Sequence, residues 1–293
     1  MNCQLKNEKV TVILTTLGGT LTSIQDSDGT EYLWQGDKQY WSGQAPVLFP
    51  ICGSLRNDRA VIGTSNKTCM PRHGIVRKKE FELVEKTDNR AVFCFDSDAE
   101  ALELFPYQFQ LYTKYELADS CIQVTYEVVN QSDFVMPFFV GGHPGFKCPV
   151  NQKEAYQDYY IEFEKLESCS VPTPVTETGL INMEDRSPFL KNENRIWLTH
   201  ELFHKDAIIL DELQSRSLKL ISRVSGKGIR MDFADFPYLI LWSSNNDGPF
   251  VAIEPWTGLS TCSDEGDIFE EKRNVQMVSP KRSKQYTYSI TLI

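Results

Sequence analysis

The sequence predicts an all-β protein, a large antiparallel β-sandwich formed as one domain over residues 1–293, and three observations carry that expectation. Apolar and polar residues alternate over many short segments, turn residues separate those segments, and helical signals are few and short. No stretch alternates strands with helices of about 10 to 15 residues, the pattern that marks a parallel α/β sheet. Two antiparallel sheets packed face to face hide the apolar sides of many such strands.

Taken in order, Val10–Leu14, Arg90–Phe95, Phe109–Leu117 and Cys121–Val129 read as strands rich in β-branched and aromatic residues. Ala118-Asp119-Ser120 is short enough to close a hairpin between the last two, and Asn130-Gln131-Ser132-Asp133 ends the run. Later strands are expected at Lys219–Val224, Leu239–Ser243, Phe250–Ile253 and Tyr286–Leu292, with Asn245-Asn246-Asp247-Gly248-Pro249 as the turn between the middle two. A single helical turn fits Thr199–His204, with Thr199 as a possible N-cap. The Pro-rich segment Val171–Gly179, followed by a polar stretch to about residue 195, reads as a long surface excursion within the domain.

Length permits one large β-domain or two smaller ones. Apolar residues make up 41% of the chain, with 17 Phe, 12 Tyr and 5 Trp, enough for a large core. Thirty Lys and Arg against 40 Asp and Glu give a formal charge of -10, which argues against nucleic acid as a partner reached through bulk electrostatics. An anionic small substrate needs a local basic pocket, and the strongest cluster is Arg72-His73 with Arg77-Lys78-Lys79 downstream.

The eight cysteines are scattered singly without a Cys-x-x-Cys pair, so neither a paired-cysteine zinc site nor a disulfide framework is expected. The N-terminus has no basic start followed by an apolar run, and nowhere do about 18 apolar residues occur in succession. The expectation is a soluble, cytoplasmic, thiol-reduced protein without a membrane partner.

Two of the four histidines stand in unusual settings. His73 lies in Met70-Pro71-Arg72-His73-Gly74, a turn or strand entry, and His143 lies in Gly141-Gly142-His143-Pro144-Gly145, directly after an apolar strand. Glycines there admit close approach of a ligand or of another chain segment, and the proline fixes the exit. Each histidine can be functional or can merely satisfy a buried turn. Glu254, in Ile253-Glu254-Pro255-Trp256, ends an apolar strand, so partial desolvation raises its pKa and suits it to a general base; a strand-end glutamate facing water or pairing with an arginine is the alternative. His200 and His204 look structural. No Gly-x-Ser-x-Gly elbow, His-Glu-x-x-His zinc motif or phosphate loop occurs. Trp41, Phe49, Phe139, Phe146 and Trp256 are the aromatics available to a ring-shaped ligand, of which one or two are expected to touch it.

Together, Leu33-Trp34-Gln35-Gly36-Asp37, Leu48-Phe49-Pro50-Ile51-Cys52-Gly53, Pro71-Arg72-His73-Gly74, Gly141–Phe146 and Ile253-Glu254-Pro255-Trp256 resemble, in order, the aldose 1-epimerase family, in particular its LacX-like bacterial branch. The resemblance spans nearly the whole chain. It implies a galactose mutarotase-like supersandwich and a small-molecule sugar substrate, with no cofactor and no metal. It also implies that His143 is the general acid, that Glu254 is the general base and that His73 binds the sugar near its ring oxygen. Trp256 joins the expected sugar contacts.

At Ser54 family members commonly carry arginine; Arg56, two residues on and on the same face of a regular strand, is the expected substitute, and Asp206 resembles a position contacting sugar hydroxyls. The implied reaction opens the ring by acid/base catalysis and closes it on the other face. One acid and one base of unlike type depart from the two carboxylates of most glycosidases. A hexose 6-phosphate epimerase and a sugar-binding protein without turnover are the competing readings.

Overall fold

A computed structural model of the chain describes residues 1–63 and 66–293. Its main feature is a nine-stranded antiparallel sheet with spatial order 180–197, 159–175, 217–222, 228–232, 283–292, 121–130, 109–118, 90–96 and 82–86. A six-stranded sheet contains 208–210, 238–242, 250–256, 141–142 and 47–48, with 145–147 also paired to 250–256. A three-stranded meander from residues 2–6, 10–15 and 20–26 completes the larger sheets.

The alternation predicted from sequence is visible in the burial of Phe109–Ala118, where buried and half-buried residues alternate along the strand. Period-2 patterning turns one face of a strand inward, and the inward face of the nine-stranded sheet meets aromatic side chains from the segments around residues 49 and 138. Phe49 lies 4.8 Å, centroid to centroid, from Phe109, and Phe138 lies 6.0 Å from Tyr286. Among the described residues, the buried apolar side chains of both sheets and the meander join one continuous core.

Most expected strands occur close to their predicted bounds. Ala118 pairs with Cys121, so Asp119 and Ser120 form the two-residue hairpin turn, with Asp119 at φ 51°. The strand expected at Lys219–Val224 runs instead from Ser217 to Ser222, and the strand expected to stop at Ile253 continues through Glu254 to Trp256. The turn after Thr199 is a 3₁₀ turn over His200–Phe203, and the Thr199 side chain makes no capping hydrogen bond. One short helix, Ala99–Leu104, is absent from the sequence reading; Asp98 caps it by accepting a hydrogen bond from the Ala101 N–H at 2.7 Å.

The largest difference concerns residues 171–195. They are not a surface excursion but part of two long paired strands, Tyr159–Val175 and Leu180–Trp197. Interruptions in pairing register, such as that between Glu162 and Glu167, break the alternation that would have marked them in the sequence. The hairpin tip is fastened at two places. The Ile181 N–H donates to the Thr261 carbonyl and the Ser263 N–H to the Ile181 carbonyl, while Arg186 forms paired hydrogen bonds to Asp211.

Candidate active site

A cavity of about 280 Å³ opens between the six-stranded sheet and the hairpin tip. Its floor follows from strand register. In the strand Phe250–Trp256 every residue is buried, and Glu254 sits opposite Ile240 of the neighbouring strand. Because alternate residues share a face, Glu254 and Trp256 lie with Ile240 and Trp242 on the cavity side.

The same register brings His143 to Glu254. Gly141 pairs with Trp256 and Gly145 pairs with Ala252, so the intervening His143 falls opposite Glu254. Its Nε2 lies 3.3 Å from Glu254 Oε2, in an orientation that makes no hydrogen bond. His143 is 7% exposed and Glu254 1%. Trp41 stacks on the imidazole with centroids 4.7 Å apart, and Trp242 meets it edge-on at 5.6 Å. Gly145 is needed for that stack, since a Cβ there would come within 2.8 Å of the Trp41 ring. In turn, the Trp34 indole N–H holds the Trp41 carbonyl at 2.7 Å.

His73 reaches the cavity from a different segment. Its N–H donates to the Gly53 carbonyl at 2.7 Å, and the Gly53 N–H donates to His73 Nδ1 at 3.1 Å. Accepting at Nδ1 places the proton of the neutral ring on Nε2, which leaves that atom as a donor. The backbone of His73 is left-handed, at φ 68°, an uncommon conformation for a residue with a side chain and one that concentrates at functional sites.

Burial dominates the electrostatics. It pushes the Glu254 carboxyl well above the usual carboxylate range and pulls the His143 imidazole down to about 3, with Arg77 and Arg72 adding to the latter effect. His73 is held well below the ordinary imidazole value by burial first, then by His143, Arg77 and Arg72. Burial therefore favours the uncharged form of both members of the free pair, the carboxylic acid of Glu254 and the neutral imidazole of His143. Three atoms of this cavity, His143 Nδ1, Glu254 Oε2 and Trp256 Nε1, are buried without a hydrogen-bond partner among the described residues. Buried polar atoms are rarely left so, and each gains free energy when a ligand hydroxyl pairs with it.

Of the residues expected at the site, His73, His143, Asp206, Glu254 and Trp256 line this one cavity. Asp206 adopts φ 113° and accepts a hydrogen bond from the Ala207 N–H at Oδ1. Arg56 does not belong to the lining. It stands in a 3₁₀ turn, not a regular strand, so the alternation argument fails; its guanidinium pairs with Asp267 at 2.7 Å and donates to the Glu265 carbonyl at 2.9 Å. The guanidinium beside Ser54 is that of Arg72, whose Nε donates to Ser54 Oγ at 3.0 Å.

Trp41 lines the cavity as well as Trp256, whereas Phe49, Phe139 and Phe146 are core residues. Trp242, Ile240 and Ile209, and Pro174 and Gly179–Ile181 from the hairpin, were not anticipated. Among the described residues no group of three or more His, Cys, Asp or Glu is arranged to hold a metal ion, and no helix is long and apolar enough to cross a membrane.

A large β-sandwich whose aromatic cavity closes on one buried histidine and one buried glutamate defines the class of protein. Within that class the sequence family is clear: the family model described as aldose 1-epimerase matches residues 1–269, and the chain belongs to that family. It is 50% identical over 298 residues to the chromosomal protein LacX of Lactococcus lactis subsp. lactis, covering all of both chains. Among solved structures it is similar to a galactose mutarotase related enzyme from Lactobacillus acidophilus (TM-score 0.94, 26% identity, 100% of this chain and 97% of that one). It is also similar to a galactose mutarotase-like protein from Lactobacillus casei ATCC 334 (TM-score 0.92, 30% identity, all of both chains).

Proposed function

We propose that the protein interconverts the α and β anomers of an aldose, with His143 and Glu254 moving the protons. The observation that carries this reading is the contact of an imidazole and a carboxyl group, 3.3 Å apart and almost wholly buried, on a cavity wall that also offers unpaired polar atoms. Ring opening removes a proton from the anomeric hydroxyl and delivers one to the ring oxygen. Both oxygens are bonded to the same carbon, so the acid and base must be neighbours. A glycosidase places its two carboxyl groups about 5 to 9.5 Å apart around a bond to be cleaved.

The pair has the right proton inventory. Protonated Glu254 with neutral His143 holds the same number of protons as ionised Glu254 with protonated His143. Sugar hydroxyls donating to Glu254 favour its ionised form, and the displaced proton passes to His143. In that state His143 protonates the ring oxygen while Glu254 takes the anomeric proton. After rotation about the adjacent carbon–carbon bond the transfers reverse and the ring closes on the other face.

His73 Nε2–H is available to the ring oxygen region, Asp206 to hydroxyls, and Trp256 and Trp41 to apolar faces of the ring. Glu254→Gln and His143→Asn are each expected to lower the rate of anomer interconversion by about 10² to 10⁴-fold with the fold retained. Polarimetry on freshly dissolved α-anomers, with circular dichroism to check the fold, measures this. Near-normal rates in both variants would remove the two roles.

A further inference from the structure

The acid/base chemistry uses none of the chain between residues 257 and 272, yet that segment ends on an ammonium in an unusual place. Lys272 follows the 3₁₀ turn Phe269–Glu271 and is 4% exposed. A buried ammonium is costly unless it is paired and hydrogen-bonded. Among the described residues the one carboxylate near it is Glu265, at 4.0 Å, and that carboxylate is already engaged by the N–H groups of Cys262 at 2.9 Å and Arg273 at 2.6 Å. The shortest bond of the ammonium goes elsewhere. Lys272 Nζ donates to Thr261 Oγ1 at 2.8 Å, with the Gly266 carbonyl at 3.4 Å. Burial pulls the Lys272 pKa below the ordinary lysine range, and Glu265 opposes that shift.

Thr261, itself fully buried, joins two walls of the cavity. Its N–H donates to the Ser54 carbonyl at 2.8 Å, next to the Gly53 that holds His73, and its carbonyl accepts from the Ile181 N–H of the hairpin tip at 3.2 Å. Its neighbours repeat the pattern. Ser260 Oγ accepts from the Ser54 N–H at 2.9 Å, and the Ser263 N–H donates to the Ile181 carbonyl at 2.7 Å. Residues 260–263 therefore splice the His73 turn to the hairpin tip. The fit is close on both sides: an added Cβ at Gly53 would come within 2.0 Å of Ser260 Oγ, and one at Gly179 in the tip within 2.7 Å of Ser54 Oγ. Close-packed groups transmit a displacement instead of absorbing it. Because a threonine is stiff about its first side-chain bond, a hold on Oγ1 is also a hold on the backbone groups of Thr261.

We propose that Lys272 is a positioning residue of the substrate cavity: by holding Thr261 Oγ1 it sets the spacing between the hairpin tip and the His73 turn, and with it the affinity for the sugar. Lys272 and Thr261 are not part of the lining, so the effect passes through Ile181, Ser260 and Ser54. The meeting of His143 and Glu254 follows from pairing within the six-stranded sheet and does not depend on this segment. The effect on turnover rests on the reading of the cavity as an epimerase site; the placement of the tip does not.

Three substitutions in the intact protein isolate the bond. Lys272→Met removes the ammonium at nearly constant volume, Thr261→Val removes the acceptor at constant shape, and Thr261→Ser keeps the acceptor. With galactose and glucose as substrates, the methionine and valine variants are expected to raise KM about five- to twentyfold with kcat within about twofold, and the serine variant to stay near wild type. The Lys272→Met, Thr261→Val double variant should be no worse than either single one, because both cut the same bond. Arg56→Gln controls for general loosening, since Arg56 donates to the Glu265 carbonyl of the same segment and not to Thr261. Amide hydrogen exchange needs no sugar: the Ile181 and Ser263 N–H groups should exchange at least about tenfold faster in Lys272→Met, with those of Phe250–Trp256 unchanged.

A wild-type KM in both variants overturns the proposal, as does unchanged amide exchange at Ile181. A fall in kcat at constant KM also overturns it, because the effect would then lie on the acid/base pair, and an equal rise in KM for Arg56→Gln would reduce Lys272 to a general brace. Should Lys272→Met fail to fold, the contrast of valine with serine at Thr261 decides. If wild type accelerates anomer exchange of neither sugar, the epimerase reading fails by itself, and exchange at Ile181 still decides whether Lys272 holds the tip.

Discussion

Glu254 is buried inside a strand that favours its protonated carboxyl, and stability measurements can detect that preference before any substrate is chosen. Because the folded-state pKa lies above the unfolded value of 4.5, the contribution of Glu254 to stability is fully present below pH 4.5 and is lost as pH rises toward the folded-state value. Glu254→Gln replaces the acid by a neutral side chain of the same shape and so removes this dependence. Once the unfolded carboxyl is ionised, wild type should lose stability relative to the variant by about 1.4 kcal/mol per pH unit. Over the window in which the folded carboxyl keeps its proton, each pH unit therefore lowers the melting temperature of wild type relative to the variant by a few degrees for a chain of this size. The assay is urea unfolding of both proteins at half-unit pH intervals, and the pH at which the difference levels off reports where Glu254 ionises in the fold. Parallel curves for the two proteins across pH 5 to 6.5 would refute the argument, because they would mean that Glu254 is charged in the folded state.

The other two predictions concern the surroundings of the pair. Trp41→Ala removes the ring stacked on His143 and admits water, so the His143 pKa should rise from about 3 toward its ordinary value of 6.5, visible in an NMR titration of the imidazole. The loss of orientation should also lower kcat, by about 10 to 100-fold. Arg56→Gln should leave kcat and KM within about twofold of wild type, since Arg56 is held at Asp267 outside the cavity, and should cost about 1 kcal/mol or less in thermal unfolding. A large rise in KM for this variant would return Arg56 to the sugar site.

How much of this was legible in the sequence depended on whether a strand had one face in water. Phe109–Leu117 and Cys121–Val129 alternate because one face is buried and the other only partly so, and both were found almost to the residue. Phe250–Trp256 is buried on both faces, so hydrophobic periodicity carries no information about which side chains share a face. Its glutamate and proline looked like an end and are interior. The long strands 159–175 and 180–197 failed for the opposite reason: register shifts and exposed positions erased the period, and the prolines at 172 and 174 suggested a loop, although prolines are tolerated where pairing is irregular. The hairpin side of the cavity was therefore invisible. His143 and Glu254 were legible as unusual residues, but their meeting depends on Gly141 pairing with Trp256 and Gly145 with Ala252, a fact of register that no local motif states. The basic residues show the same division. The cluster from Arg72 to Lys79 is plain in the sequence, but not that Arg72 stands beside Ser54, the position where relatives of this family were expected to have arginine. Sequence order pointed to the neighbour Arg56, whereas the turn at residues 56–58 sends that side chain outward and the turn at His73 brings Arg72 in. A guanidinium is thus kept at the cavity wall by a different segment of chain, which is possible because two sequence-distant turns, at Gly53 and His73, are bound to each other through both backbone and side chain.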